Sequence, residues 1–106
     1  MIPFNEWKKL DIRIGKILDV KEHPNADKLI ILKVDIGNEV RNIVAGIKQY
    51  YSKKELLNRK IVVFTNLEQK ELRGIKSEGM LLAAVKDDKV VLIQPEKDIE
   101  IGAIIQ

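Results

Sequence analysis

The chain of 106 residues has no cysteine, one histidine, three prolines and five aromatic side chains. Each scarcity removes a class of function. Without cysteine there is no disulfide frame, no thiolate nucleophile and no Cys-based zinc site. A metal centre normally draws three or four ligands, and the His/Cys supply here is His23 alone. Because Pro24 follows it, His23 is biased to extended backbone and reads as a turn device rather than a catalytic base. No apolar run approaches the roughly 20 residues that span a bilayer. The opening MIPFNEWKKL lacks the apolar centre of a signal peptide, so a cytoplasmic location with no membrane partner is expected. Single-strand binders need several exposed rings for stacking, and only Tyr50 and Tyr51 offer themselves, one of them expected to turn inward. Phe4, Trp7 and Phe64 look committed to packing.

Charge, by contrast, is abundant and uneven. Charged residues make up 33% of the chain, and apolar residues at 45% suit one folded domain of this length. Residues 1–40 are neutral overall, with seven basic and seven acidic side chains. Residues 41–76 carry nine basic residues against three acidic, a balance of +6, and residues 77–106 carry −3. A basic middle third is the field a polyanion binder presents, and equally that of a solvated lysine-rich face.

The hydrophobic pattern predicts strands. Phe4, Trp7 and Leu10 recur at helical spacing after Pro3, which suits a short N-terminal helix over about 4–9. Leu10, Ile12, Ile14, Leu18 and Val20 alternate in a long strand expected to bend at Gly15. Ile30, Leu32, Val34 and Ile36 continue the alternation, and Gly37-Asn38 turns into a third strand, Val40 to Ala45. Ser52 and Glu55 form a capping-box pattern opening a helix through Leu57. Further strands are expected over Ile61 to Phe64, Met80 to Val85 and, after Asp87-Asp88, Val90 to Ile93. A cation site at Asp87-Asp88 is the less economical reading of that pair. Five or six strands with a helix after the third is the order of an all-β, oligonucleotide-binding (OB-fold) Greek-key barrel, over about residues 10–93.

Between the fourth and fifth of these strands lies NLEQKELRGIKSEGM, Asn66 to Met80, expected to be a long, flexible basic loop. It spaces Lys70, Arg73 and Lys76 three apart and holds Gly74 and Gly79. It has no lysine-hydroxyl pairing of a phosphate-binding P-loop, and Ser77 has no evident base partner. Catalytic residues, cofactors and metals are therefore expected to be absent.

Three stretches carry a family resemblance: LDIRIGKI at Leu10 to Ile17, HPNADKL at His23 to Leu29, and NLEQKELRGIKSEGMLLA at Asn66 to Ala83. In this order and separation they resemble the tRNA-binding domain family. That family includes free-standing tRNA-binding proteins, the C-terminal module of methionyl-tRNA synthetase and endothelial monocyte-activating polypeptide type domains. The resemblance implies an OB-fold that dimerises and binds the outer corner of folded tRNA without performing chemistry. Many members have proline at Gln69, methionine at Leu72, a basic residue at Glu71 and serine at Ala45. A less rigid loop and an acid among three cations point to weaker binding than the family norm.

The candidate tRNA-binding residues are Arg41, Asn66, Lys70, Arg73, Lys76, Ser77 and Met80. Lys70, Arg73 and Lys76 are expected to contact phosphates, since cations on a loop bind backbone without reading sequence. Arg41 either joins them with its planar fork or pairs with an acid on the neighbouring strand. Asn66 either meets a sugar or base edge or simply ends a strand. The Ser77 hydroxyl serves the RNA backbone or its own loop. Met80 is core by pattern, whereas the family's Ser-x-x-Met-like motif places Ser77 and Met80 at the RNA surface.

The last thirteen residues (94–106) form an extension in which Ile99, Ile101, Ala103 and Ile105 alternate like a strand. A second copy of the chain is the simplest cover for such a segment, giving a homodimer through the N- and C-terminal segments. The other reading folds it onto the N-terminal helix, burying Phe4 and Trp7. The implied protein is a stand-alone tRNA-binding protein, a separate subunit partnering the methionyl-tRNA synthetase catalytic subunit, or a domain of that synthetase. An export-related, peptide-binding chaperone of the same superfamily is the alternative.

Overall fold

The computed structural model describes residues 1–106 as a nearly closed β barrel with two short helices. A single helical turn, α1 (Phe4–Trp7), follows Pro3 and buries none of its residues. The long strand β1 (Ile12–Glu22) pairs antiparallel with β4 (Lys60–Phe64) through its first half and with β2 (Ile30–Asp35) through its second. The strand β3 (Val40–Ala45) pairs with β2, and β7 (Met80–Leu81) with β4, giving the order β3-β2-β1-β4-β7. The pairing of β1 with β4 runs regularly through Gly15, and the pairing with β2 is broken by a bulge between Ile17 and Asp19. Ile17, ahead of the bulge, faces the barrel opposite to Ile12 and Ile14, and the extra residue leaves Leu18 exposed and returns Val20 to the barrel, contrary to the even-numbered expectation.

Two cores result. Twelve residues, among them Ile17, Leu32, Val34, Ile36, Ile43, Ile61 and Val63, fill the barrel. A smaller group of Ile12, Ile14 and Val62 packs on the other face of β1 and β4. The helix α2 (Lys53–Leu56) has the expected capping box, with the Ser52 hydroxyl accepting from Glu55 N–H and the Glu55 carboxylate from Ser52 N–H. The cap fixes the helix start so that Leu56 enters the barrel core with no exposure.

The expected fifth strand, Met80 to Val85, is two strands. Leu82 interrupts it by donating to Val62 O and accepting from Ile93 N–H. Beyond it, β8 (Ala83–Lys86) and β9 (Lys89–Leu92) form a separate hairpin. The C-terminal segment departs from the reading that folds it onto the N-terminal helix. It lies along the first half of β1, with Gly102 N–H donating to Ile14 O, Ile14 N–H to Ala103 O and Ile105 N–H to Ile12 O. Gly102 packs directly on Gly37 of the β2–β3 turn, where a Cβ on Gly37 would fall 2.9 Å from Gly102 Cα. The vacancy for an extra strand is therefore on the chain's own β1, and Phe4 stays 71% exposed. No helix is long and apolar enough to cross a membrane.

Candidate nucleic-acid interface

The segment expected to be a flexible loop folds as a β-hairpin. The strands β5 (Lys70–Leu72) and β6 (Ile75–Ser77) pair in the register Lys70 to Ser77, Glu71 to Lys76 and Leu72 to Ile75. The two-residue turn has Arg73 at φ 53° and Gly74 at φ 91°. Positive φ at both central positions matches the right-handed twist of the flanking strands, which makes an X-Gly pair a hairpin former. Leu72 and Ile75 flank that turn with the same apolar-polar alternation, a signal present in the sequence but masked by the surrounding charge.

The hairpin is held at both ends. Near its tip, Asn25 N–H donates to His23 Nδ1 at 3.0 Å, which places the imidazole proton on Nε2. His23 Nε2–H then donates to Leu72 O at 3.0 Å. At the base, Ser77 is buried, and its hydroxyl accepts from Val44 N–H at 3.0 Å while donating to Gly79 O at 2.9 Å. The adjoining Glu78 exchanges bonds with Asn42, its N–H donating to Asn42 O and its carboxylate accepting from Asn42 N–H. These contacts cap the free edge of β3 and close the barrel. Changing Ser77 to Ala strands the Val44 N–H in the interior and is expected to cost about 1–3 kcal/mol of stability, read from urea unfolding.

Several candidate residues are thus engaged internally. Ser77 faces its own barrel, so a direct hydroxyl contact with RNA is not available in this geometry. The Asn66 amide accepts from Asp11 N–H at 2.7 Å and donates to Lys9 O at 2.7 Å, clamping the N-terminal segment. Arg41 pairs with Glu39 and donates to the carbonyls of Thr65 and Glu78, so its fork ties three segments together. Met80 is 42% exposed and lies outside the core, as the family pattern implies.

Lys70, Arg73 and Lys76 contrast with these. None makes an ion pair within 4.0 Å, whereas Lys9, Arg13, Arg41, Lys48 and Lys60 each have a carboxylate partner. The register divides them, however. Lys76 and Glu71 share the outward face of the ribbon, Lys70 shares the face of Ser77, and Arg73 occupies the tip. Arg73 also borders a cleft with Ala26, Asp27, Lys28 and Leu29, so the tip and the loop before β2 form one surface.

Beside the Asn66 clamp, Arg13 donates to both oxygens of Asp11 at 2.8 Å. The Arg13 hydrogen bonds hold the Asp11 carboxyl below its usual range, and the same pair raises Arg13. A depressed carboxylate contributes stability above its ordinary pKa and loses it as pH falls through the folded value. D11N should therefore lower stability at neutral pH and leave a shallower decline toward about pH 3, measured by urea midpoints across that range. No group of three or more His, Asp or Glu side chains is arranged to hold a metal ion.

Comparison with known proteins bears on this geometry. Residues 12–104 match the family described as "Putative tRNA binding domain". Methionine–tRNA ligase from Thermococcus onnurineus is 57% identical over 105 residues, which is 99% of this chain and 14% of that protein. The corresponding ligase from Nanoarchaeum equitans is 49% identical over the whole chain, again 14% of its length. The chain thus spans about one-seventh of these relatives. Among solved structures, a MetRS-related protein from Pyrococcus horikoshii superposes with a TM-score of 0.93 at 34% identity, covering 100% of this chain and 98% of that one. The chaperone CsaA from Picrophilus torridus gives 0.91 at 35% identity, with both chains fully covered. A matched region from β1 to the C-terminal segment, with a barrel shared along its whole length, makes this chain a member of the tRNA-binding domain family.

Proposed function

We propose that this chain is a non-catalytic, structure-dependent tRNA-binding module. The observation that carries the reading is the β5–β6 hairpin, a ribbon anchored by hydrogen bonds at tip and base, on which Lys70, Arg73 and Lys76 are exposed and form no ion pair within 4.0 Å. Arg73 at the tip and Lys76 on the outward face lead the contact, with Lys70 at the flank and Met80 exposed beside the base. Ser77, Asn66 and Arg41 hold the ribbon in position, so the family's Ser-x-x-Met-like motif supplies one structural residue and one surface residue. Cations on a fixed ribbon bind phosphates without sequence preference, and shape supplies the choice of folded RNA.

The module acts in the cytoplasm as a homodimer, either free-standing, as a subunit beside the methionyl-tRNA synthetase catalytic subunit, or as a domain of that enzyme. Relatives that are methionine–tRNA ligases support the synthetase link. Support for the dimer comes from Met1, Ile2, Phe4, Trp7 and Leu10, an exposed apolar group at the N-terminus. Residues 1–106 then form one domain, with the termini as its assembly surface.

A second reading, a peptide-binding chaperone, is favoured by that same apolar group and by the likeness to CsaA. Titrating the protein with folded tRNA, single-stranded RNA of equal length and duplex RNA at several salt concentrations separates the two. Preference for folded tRNA, weakening with salt, supports the module. Equal or absent binding to all three removes it and leaves the chaperone.

A further inference from the structure

His23 is the single histidine of the chain, and it is buried, with 6% of its surface exposed. Both ring nitrogens are engaged within the chain, Nδ1 accepting from Asn25 N–H and Nε2–H donating to Leu72 O. No polar atom of the ring is left for an RNA ligand, so His23 can act on binding only through what it holds. What it holds is the last residue of β5, directly before Arg73 at the hairpin tip.

The hairpin needs such a hold. The strands β5 and β6 form a two-stranded sheet of their own with three residue pairs, and an isolated two-stranded hairpin is at best marginally stable in water. Leu72 and Ile75, which flank the turn, are half-buried and pack against neither core. Arg73 sits at φ 53°, where glycine, asparagine or aspartate is the usual occupant, so the turn that aims it is not favoured by its own sequence. At the base, Ser77 and Glu78 fasten β6 and the residue after it to β3, whereas β5 pairs with no strand but β6. The bond from His23 ties the other end of the ribbon to the loop that follows β1.

The anchor is itself fixed before RNA arrives. Pro24 biases His23 to extended backbone, and the bond from Asn25 N–H orients the ring so that Nε2–H faces Leu72. The same loop continues through Ala26, Asp27, Lys28 and Leu29, which border the cleft beside Arg73. A tip held in this way meets RNA already ordered. A free tip has to be ordered at binding, which lowers affinity without altering the charges that attract the RNA.

We propose that His23 is a positioning residue for RNA binding: through its Nε2–H bond to Leu72 O it presets the turn that presents Arg73, and it touches no RNA itself. The proposal rests on the tRNA-binding reading and adds to it the residue that pre-organises the hairpin.

The test uses the whole chain and three variants. H23A removes both bonds, H23N keeps an acceptor near the place of Nδ1 but is too short to reach Leu72 O, and H23Q keeps a donor near the place of Nε2. Folded tRNA is titrated against each from about 50 to 200 mM salt. H23A and H23N are expected to bind roughly 5-fold more weakly at every salt, the effect of one lost hydrogen bond, and H23Q to stay within about 2-fold of wild type. The salt slope should equal that of wild type, whereas a lost phosphate contact would reduce it by about 0.9. Amide hydrogen exchange without RNA is the second readout. Residues 70–77 should exchange faster in H23N than in wild type or H23Q, with β1 to β4 unchanged, which separates a loosened hairpin from a weakened barrel. Wild-type affinity in H23A and H23N, an H23Q as weak as H23N, a slope reduced by about 0.9, or unaltered hairpin exchange in H23N overturns the proposal. If H23A does not fold, the H23N and H23Q pair decides by the same criteria. If wild-type protein itself fails to bind tRNA, the functional reading falls and this inference with it. If it binds and the His23 variants bind equally well, that reading stands and this inference alone is lost.

Discussion

Replacing Arg73 and Lys76 together with alanine is expected to flatten the salt dependence of tRNA binding. Each phosphate contact contributes roughly 0.9 to the slope of log affinity against log salt, through release of one condensed counterion. Two lost contacts reduce the slope by about 1.8, so the fall in affinity between about 50 and 200 mM salt becomes roughly 12-fold shallower. Binding at the lower salt should weaken alike for all tRNA species, because these side chains position the backbone and read no bases. K70A should do less, since the register places Lys70 on the opposite face of the ribbon from Lys76. The measurement is a series of titrations of the three proteins with one folded tRNA at stepped salt. An R73A/K76A slope equal to wild type would remove the hairpin from the interface, and a K70A effect as large as the double would mean that the opposite face leads. Both side chains are exposed and unpaired, so the variant should unfold at the wild-type urea midpoint.

The largest stability loss is expected at Leu56. Its side chain is fully buried among Ile17, Val20, Ile30 and their neighbours. Truncation to alanine forfeits the transfer free energy of the missing carbons and leaves a cavity that the surrounding strands cannot fill. Such changes cost about 2–5 kcal/mol, a large share of the roughly 5–15 kcal/mol that holds a domain of this size. The melting temperature should fall by on the order of 10 °C or more. Leu57, the next residue, is the control: it is 46% exposed, and L57A should stay within about 0.5 kcal/mol. Urea unfolding of both variants with unchanged slope checks the pair. A small effect at Leu56 would mean that α2 is not anchored to the barrel. The segment from Lys48 to Lys53, which α2 holds in place, would then be less ordered than its hydrogen bonds indicate.

Much of this architecture was legible before any coordinates. Ile30, Leu32, Val34 and Ile36 alternate strictly, and all four point into the barrel, because period two has no competing interpretation in a half-buried strand. Ser52 and Glu55 specify a helix start locally, through bonds between neighbours only a turn apart. The motifs that identify the family were legible for a related reason, as each is a contiguous string.

Errors fell where distant segments decide. The bulge that turns Leu18 outward answers to pairing with β2, which begins eight residues beyond the end of β1. The C-terminal segment alternates like a strand whatever it meets. That it meets the first half of β1, and not α1, depends on an edge that exists only once β2 and β4 have taken their places. The site divides in the same way. Residue type announced a basic stretch with two glycines, and with it the positive charge that the hairpin carries.

Which cations face outward, and which polar groups are engaged at home, came from tertiary pairing. Arg41 answers to Glu39, Thr65 and Glu78, Ser77 to Val44, and Asn66 to Lys9 and Asp11. His23, read as a turn device, also pins the hairpin tip to Leu72 across 49 positions of sequence. The sequence by itself therefore determined the barrel class, the family and the charge that RNA would meet. The tertiary structure decided which of the candidate residues remain available to RNA, because a hydrogen bond between remote segments withdraws a donor from solvent without leaving any local mark.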